Sequence, residues 1–341
     1  MWWTKFPDSL QALVSDGNLY GVSIACLDKS KFHFKNYGVT NYPTHSSSPP
    51  ITKHTKFQVA SLGKFVTSYL CLELEHRGLL DLDCNRAPLI AKLYDFSFPL
   101  NGIKISVRQL LAHRSGFCGP PGVVGVECYE WILPELLEFY RQPLSFFNPL
   151  LIDAYHYSFL SYVILQRLLE TLFDSSFDIL LSRHLLLPLG IVDFYSPSVI
   201  DSDQYSLTNG YDPSVFSTHF DFFYYPSADA AAGLWFSPFE FSLILRSLFP
   251  GFTTLLSGHY TLRDFLYQSQ FSSLNYHLGI QHSCIEGLSI YEHAGINPGF
   301  FTYLLALDQY QQAFILFSND IRIRSIISNL RHQLLTLMQL P

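Results

Sequence analysis

Apolar positions recur with two different periods along this chain. Between Phe57 and Gly78 (FQVASLGKFVTSYLCLELEHRG) the spacing is helical from about Ser61. Phe65, Tyr69 and Leu72 form one stripe, Val66, Leu70, Cys71 and Leu74 fill most of the rest, and Gly78 supplies a stop. A helix apolar nearly all round belongs in a protein interior. Further helices are predicted over residues 8–16, from the capping box at Ser106 (S-V-R-Q) through His113, and across the long periodic stretch 158–185. Another opens at Ser237-Pro238-Phe239-Glu240, with proline at its first position, and runs to about Leu248; a last one spans Ile321 to Met338. The strand-like period is confined to the two ends. Tyr20–Leu27 and Lys31–Tyr37 read as a hairpin turning at Asp28–Ser30, and Tyr276–His282, Leu288–Ala294, Phe300–Asp308 and Ala313–Asn319 form a second run with short turns.

Strands at both ends with helices between them predict an α+β fold. One antiparallel sheet is built from the N- and C-terminal segments and flanked by helices, and a mainly helical lobe is inserted beside it. The expected division is an α/β lobe of residues 1–60 and 270–341 and a helical lobe of 61–269, two parts of one catalytic unit spanning 1–341, since no repeat or low-complexity linker interrupts it. A cleft between such lobes is a usual place for a binding site, and the helix at Ser61 lies at the first crossing.

Composition narrows the function. Of 341 residues 48% are hydrophobic and 14% charged, which fits a globular chain with a full core. A net charge of −7 without a basic run argues against nucleic acid as a partner. No stretch offers about 18 uninterrupted apolar residues, so no membrane span is expected. The N-terminus lacks the apolar core of a signal peptide, giving an expectation of a cytoplasmic protein, or one exported without a cleavable signal. The six cysteines are scattered without a C-x-x-C pair and read as reduced thiols, and neither metal nor cofactor is implied.

Ser61 and Lys64 carry the candidate chemistry, because three residues along a helix places their side chains on one face. A serine hydroxyl becomes a good nucleophile only when something takes its proton. A lysine can do so if it is neutral part of the time, which takes about 3–5 kcal/mol of bias against the charged form. A helix N-terminus supplies only about 0.3–1 kcal/mol, so desolvation in a buried helix has to supply most of it. S-x-x-K also arises by accident about once in a chain of this length, so partners elsewhere must decide.

Those partners lie in segments that resemble the serine β-lactamase and penicillin-binding family, in its class C-like branch of esterases and D-alanyl carboxypeptidases. S-x-x-K is that superfamily's nucleophile motif. FQVASLGK, the turn Gly78-Leu79-Leu80-Asp81-Leu82-Asp83, the segment from Ile105 to Gly116 (ISVRQLLAHRSG), Leu187-Pro188-Leu189-Gly190 and Ala231-Ala232-Gly233-Leu234 match family words in order across nearly the whole chain. By this resemblance Tyr157 stands at the catalytic tyrosine of Y-x-N, with Tyr155 as the alternative if the register slips by two. Phe159 replaces the motif asparagine that usually holds the substrate amide; phenylalanine has neither donor nor acceptor, which favours ester over peptide or β-lactam substrates. His293-Ala294-Gly295 stands where the family has K-T-G or H-x-G, which implies a sheet-edge strand facing Ser61. His293 would orient substrate or tyrosine, Gly295 would let the backbone approach the substrate closely, and the N–H groups of Ser61 and Ile296 would form an oxyanion hole.

Other chemistries are less well supported. There is no G-x-S-x-G elbow; Cys118 lies in a Gly/Pro loop; His282 and His293 lack metal-ligand spacing; Phe222–Tyr225 reads equally as an acyl pocket or as packing. The expectation is therefore a serine hydrolase or acyltransferase working through a covalent acyl-enzyme on a small-molecule ester. A D-amino peptidase or carboxypeptidase comes second and a β-lactamase third. The rival from another class is a non-catalytic interaction protein that keeps the fold.

Overall fold

A computed structural model describes residues 2–5, 9–29, 31–41, 48–94, 102–118, 146–194, 207–211, 228–271 and 275–338. Phe222–Tyr225 lies outside the described residues. In chain order the elements are α1 (Ser9–Ser15), β1 (Gly21–Asp28), β2 (Lys31–Gly38), β3 (Phe57–Gln58), α2 (Gly63–His76), α3 (Ala87–Leu93), α4 (Val107–Leu111), β4 (Ser115–Phe117) and β5 (Phe147–Ile152). They continue with α5 (Phe159–Phe173), α6 (Phe177–Leu181), β6 (Trp235–Phe236), α7 (Pro238–Arg246), α8 (Leu262–Tyr267), β7 (Gln281–Ile285), β8 (Leu288–Asn297), β9 (Phe300–Leu307), β10 (Gln312–Ser318) and α9 (Ile327–Met338).

The expected sheet of both chain ends is present: six strands in the order β2-β1-β10-β9-β8-β7, each antiparallel to its neighbours. Its two faces separate by the period of two. Val22, Ile24, Cys26, Phe314 and Leu316 pack with Trp2, Leu10, Leu334 and Met338 on one side. Ala25, Leu27, Ala313, Ile315 and Phe317 pack on the other, against α2 and the remaining helices. Covered on both faces, β1, β9 and β10 are buried almost throughout, so their sequences carry little polar alternation.

Helix α2 is buried continuously from Gly63 to Leu74, and Gly78 follows it with φ of +69°. Even Glu73 is enclosed: its carboxylate accepts the N–H groups of Ser257 (2.8 Å) and Gly258 (3.1 Å) and pairs with Arg77. Both predicted capping boxes form, at Ser106 and at Ser237.

Four expectations need correction. The helix opened at Ser106 ends at Leu111, because His113 turns into the left-handed region at φ +56°. The 158–185 stretch breaks at Asp174, also left-handed at φ +46°, separating α5 from α6. The 3-10 turns Ile321–Ile326 precede α9, which begins only at Ile327. The strand read as Tyr276–His282 begins at Gln281. Its first half is a turn in which Gly279 (φ +70°) sits against α2 so closely that a Cβ would lie 2.5 Å from the Lys64 carbonyl oxygen.

Candidate active site

β3 leads through Val59 into a 3-10 turn, Ala60–Leu62, that holds Ser61 immediately before the first turn of α2. Ala60 is fully buried with φ +51°, a left-handed conformation that costs an alanine about 1–3 kcal/mol. Two anchors on the preceding residue hold it there: the Val59 N–H donates to Leu234 O (2.9 Å), and Val59 O accepts from Thr302 Oγ1 (2.8 Å). One helical turn on, Lys64 has no exposed surface, and its Nζ donates to Ser61 Oγ at 3.0 Å and to Ala231 O at 2.7 Å. Three aromatic rings surround the ammonium, Tyr157 at 5.2 Å, Phe159 at 5.5 Å and Tyr162 at 5.6 Å from Nζ to centroid. Phe159 therefore meets the amine with a π face where the family motif has an amide side chain.

The Ala231 anchor belongs to a π-type turn, Asp229–Gly233, whose successive carbonyls bind three separate side chains. Ala230 O accepts from Thr67 Oγ1 (2.9 Å), Ala231 O from Lys64, and Ala232 O from Asn297 Nδ2 (3.0 Å). Gln166 of α5 takes the Ala230 N–H at 3.0 Å. The turn thus ties α2, α5 and β8 together beneath the amine. Sequence reasoning matched the segment to a family word but gave these carbonyls no task.

β8 brings up the opposite wall. It is not the outermost strand, since β7 lies beyond it. The pairing with β7 stops at Glu292, however, and His293–Asn297 run on past it beside the Ala60–Leu62 turn. The period of two places His293, Gly295 and Asn297 on the face toward α2, whereas Ile296 packs its side chain into the opposite core. That leaves only the Ile296 backbone to face the site. A Cβ on Gly295 would stand 2.4 Å from Val59 O and 2.3 Å from Thr302 Oγ1, so glycine is what lets β8 lie against the Val59–Ala60 backbone.

His293 is buried, with both ring nitrogens engaged. Nδ1 faces Ala294 O at 2.7 Å and Nε2 faces Tyr276 Oη at 3.1 Å. A carbonyl can only accept, so Nδ1 carries the proton and the Tyr276 hydroxyl donates to Nε2. Burial first, and then the Lys64 charge, hold the His293 pKa down to about 3. The ring is therefore neutral at physiological pH. Tyr276 lies on the turn before β7 that was read as strand, and the contact spans 17 residues. Only the glycine at 279 hinted at that turn.

The unfolded chain binds a proton near pH 6.5 that folded His293 refuses until about pH 3, so acid favours the unfolded state across that window. At pH 4.5 the His293 share of this loss is about 2–3 kcal/mol. Urea melts at pH 7.5 and 4.5 should show a smaller drop in stability for His293→Gln than for the wild type. Equal drops would remove His293 from the account.

Tyr157 precedes the Ser158 N-cap of α5, with its ring 4.3 Å from that of His113 and edge-on to Tyr276 at 5.8 Å. Tyr155, the alternative, packs on Tyr276 (5.6 Å) and His113 (6.2 Å). The ring lying against the Lys64 amine is that of Tyr157. Cys118 stands apart with burial pushing its thiol pKa up, the reverse of an activated nucleophile. Among the described residues no group of three or more His, Cys, Asp or Glu is placed to hold a metal ion, and no helix is long and apolar enough to cross a membrane.

A serine and a buried lysine at helix entry, an aromatic wall and a strand laid alongside meet at one side of the antiparallel sheet. The beta-lactamase family model matches residues 6–322, and the chain belongs to that family and is a serine hydrolase of it. Solved structures repeat the fold at low identity. A beta-lactamase/D-alanine carboxypeptidase from Pseudomonas syringae superposes with a TM-score of 0.70 at 18% identity, covering 98% of each chain. A class C beta-lactamase from Rhodobacter sphaeroides gives 0.71 at 15% identity, over 96% of this chain and 97% of that one. An octameric penicillin-binding protein homologue from Pyrococcus abyssi gives 0.71 at 16%, over 96% and 78%.

Proposed function

We propose that the protein acts on esters through a covalent acyl-enzyme, as a hydrolase or an acyltransferase. Ser61 Oγ attacks the carbonyl carbon while its proton passes to the Lys64–Tyr157 pair. The N–H groups of Ser61 and Ile296 stabilise the oxyanion, and such donors commonly contribute about 10²–10³ each in rate. Collapse of the tetrahedral intermediate expels the alcohol, which takes up the proton, and water or a second alcohol then releases the acyl group by the reverse steps. His293, held by Ala294 O and Tyr276, keeps the Gly295–Ile296 backbone and the neighbouring phenols in place.

The observation that carries the reading is the 3.0 Å contact from Lys64 Nζ to Ser61 Oγ in fully buried surroundings. The choice of ester rests on Phe159, which offers an amide substrate no hydrogen bond and presents only its ring to the amine. A panel of short- and long-chain esters, D-alanyl peptides and a β-lactam tests it by kcat/KM. Turnover led by esters supports the proposal, whereas D-alanyl peptides turned over faster than every ester would transfer the site to the peptidase reading suggested by the Pseudomonas syringae structure's name.

Restoring the family residue should move this preference. Phe159→Asn is expected to raise the ratio of D-alanyl peptide to ester turnover by roughly tenfold, the value of one net hydrogen bond of about 1–1.5 kcal/mol. An unchanged ratio in a folded variant would show that Phe159 does not set the substrate class.

A further inference from the structure

The proposed reaction needs the Tyr157 phenol at one place, yet Tyr157 lies in an irregular stretch between β5 and α5 rather than inside an element. His113 grips that stretch from both sides. Its backbone carbonyl accepts the N–H of His156 at 2.9 Å, and its ring Nδ1 accepts the N–H of Ser158 at 3.1 Å. The two bonds bracket Tyr157 in the chain, and the imidazole lies 4.3 Å from the Tyr157 ring at 43°. Rings of Tyr162 (5.2 Å) and Tyr276 (4.9 Å) back it.

Two costs accompany this arrangement. His113 adopts φ +56°, and its buried Nε2 has no hydrogen-bond partner among the described residues. Because Nδ1 accepts, the neutral ring carries its proton on that unpartnered Nε2. Strain and an orphaned donor are both unfavourable and persist where surrounding geometry over-determines them. A residue selected only to fill space would need neither.

We propose that His113 is the positioning residue for Tyr157, using its carbonyl and its Nδ1 as two fixed points between which the phenol is aimed at Lys64. The proposal rests on the reading of Tyr157 given above and assigns His113 no contact with substrate. Its physical content is an acceptor at the Nδ1 position on a left-handed residue. Asparagine meets both requirements, since its Oδ1 falls near that position and it tolerates positive φ. Leucine keeps similar bulk and meets neither.

The test compares His113→Asn and His113→Leu in the full chain. Ser158 amide exchange, read by NMR, should stay slow in the wild type and in His113→Asn and become fast in His113→Leu. Acylation by a p-nitrophenyl ester should fall at least tenfold in His113→Leu and within about threefold in His113→Asn. In a Tyr157→Phe background the leucine substitution should cost under about twofold, since the positioned group is already gone. Equal losses in both backgrounds, or Ser158 protection surviving in His113→Leu, would overturn the proposal. If His113→Leu does not fold, the asparagine variant decides: loss of Ser158 protection or of acylation in folded His113→Asn counts against it. If no variant or wild type is acylated, the ester reading fails and Ser158 exchange still judges the grip on its own.

Discussion

Ser61→Ala should lower kcat/KM on the best ester by on the order of 10³-fold or more, with no loss of folding. Removing a nucleophile from a hydrolase of this logic leaves only binding and oxyanion stabilisation to act on the substrate. The substitution deletes one oxygen from a half-buried residue, and Lys64 Nζ keeps its 2.7 Å bond to Ala231 O, so the amine stays anchored. Unfolding midpoints of the two proteins should agree. A Ser61→Ala protein that retained more than a tenth of wild-type turnover would place the nucleophile elsewhere.

The second large effect separates activity from stability. Lys64→Met should abolish ester turnover to a similar degree, because no other described side chain is shown donating to Ser61 Oγ. Its stability should nonetheless stay within about 2 kcal/mol of wild type. The thioether leaves Ala231 O without its donor, at a cost of about 1–3 kcal/mol, but it also removes a charge from full burial and packs an apolar chain among Tyr157, Phe159 and Tyr162. The measurement is a pair: steady-state turnover and a urea melt on one preparation. A severe stability loss would mean that Lys64 serves mainly to hold α2 to the Ala228–Gly233 segment. Retained turnover would remove it from proton transfer.

How far the site was legible depended on how local each contact is. Ser61 and Lys64 are one helical turn apart, and the spacing alone put them on one face; the structure sets them 3.0 Å apart. Gly295 was read as room for substrate beside the backbone, whereas what it approaches in the structure is the Val59 carbonyl. His113 and Tyr276 could not be assigned roles in the same way. His113 reaches Ser158 across 45 residues and Tyr276 reaches His293 across 17, and neither pair lies within one element. The strain at His113 was equally hidden, since a left-handed histidine has no mark in the sequence that a glycine would have given.

The sheet shows a similar division. Alternation and turn residues located the strands at both ends of the chain, and even β9 and β10, covered on both faces, lie within one residue of the bounds read from the sequence. The displacement from Tyr276 to Gln281 had a consequence for function, because the residues removed from the strand are the turn that delivers the Tyr276 phenol to His293. The position of β8 was misread for a related reason. It is the second strand by order, yet β7 is too short to cover it beyond Glu292, so its last residues behave as an edge beside Ser61.

The central claim is that a carbon–oxygen bond forms at Ser61 during turnover. Intact-mass spectrometry of the protein quenched in acid after mixing with an activated ester, followed by peptide mapping, tests it most directly. The account predicts a single added acyl group on the peptide containing Ser61, absent from Ser61→Ala and decaying as alcohol or water is supplied. Ester turnover by folded protein with no trapped adduct at any quench time, or with an adduct that maps elsewhere and survives in Ser61→Ala, would contradict it.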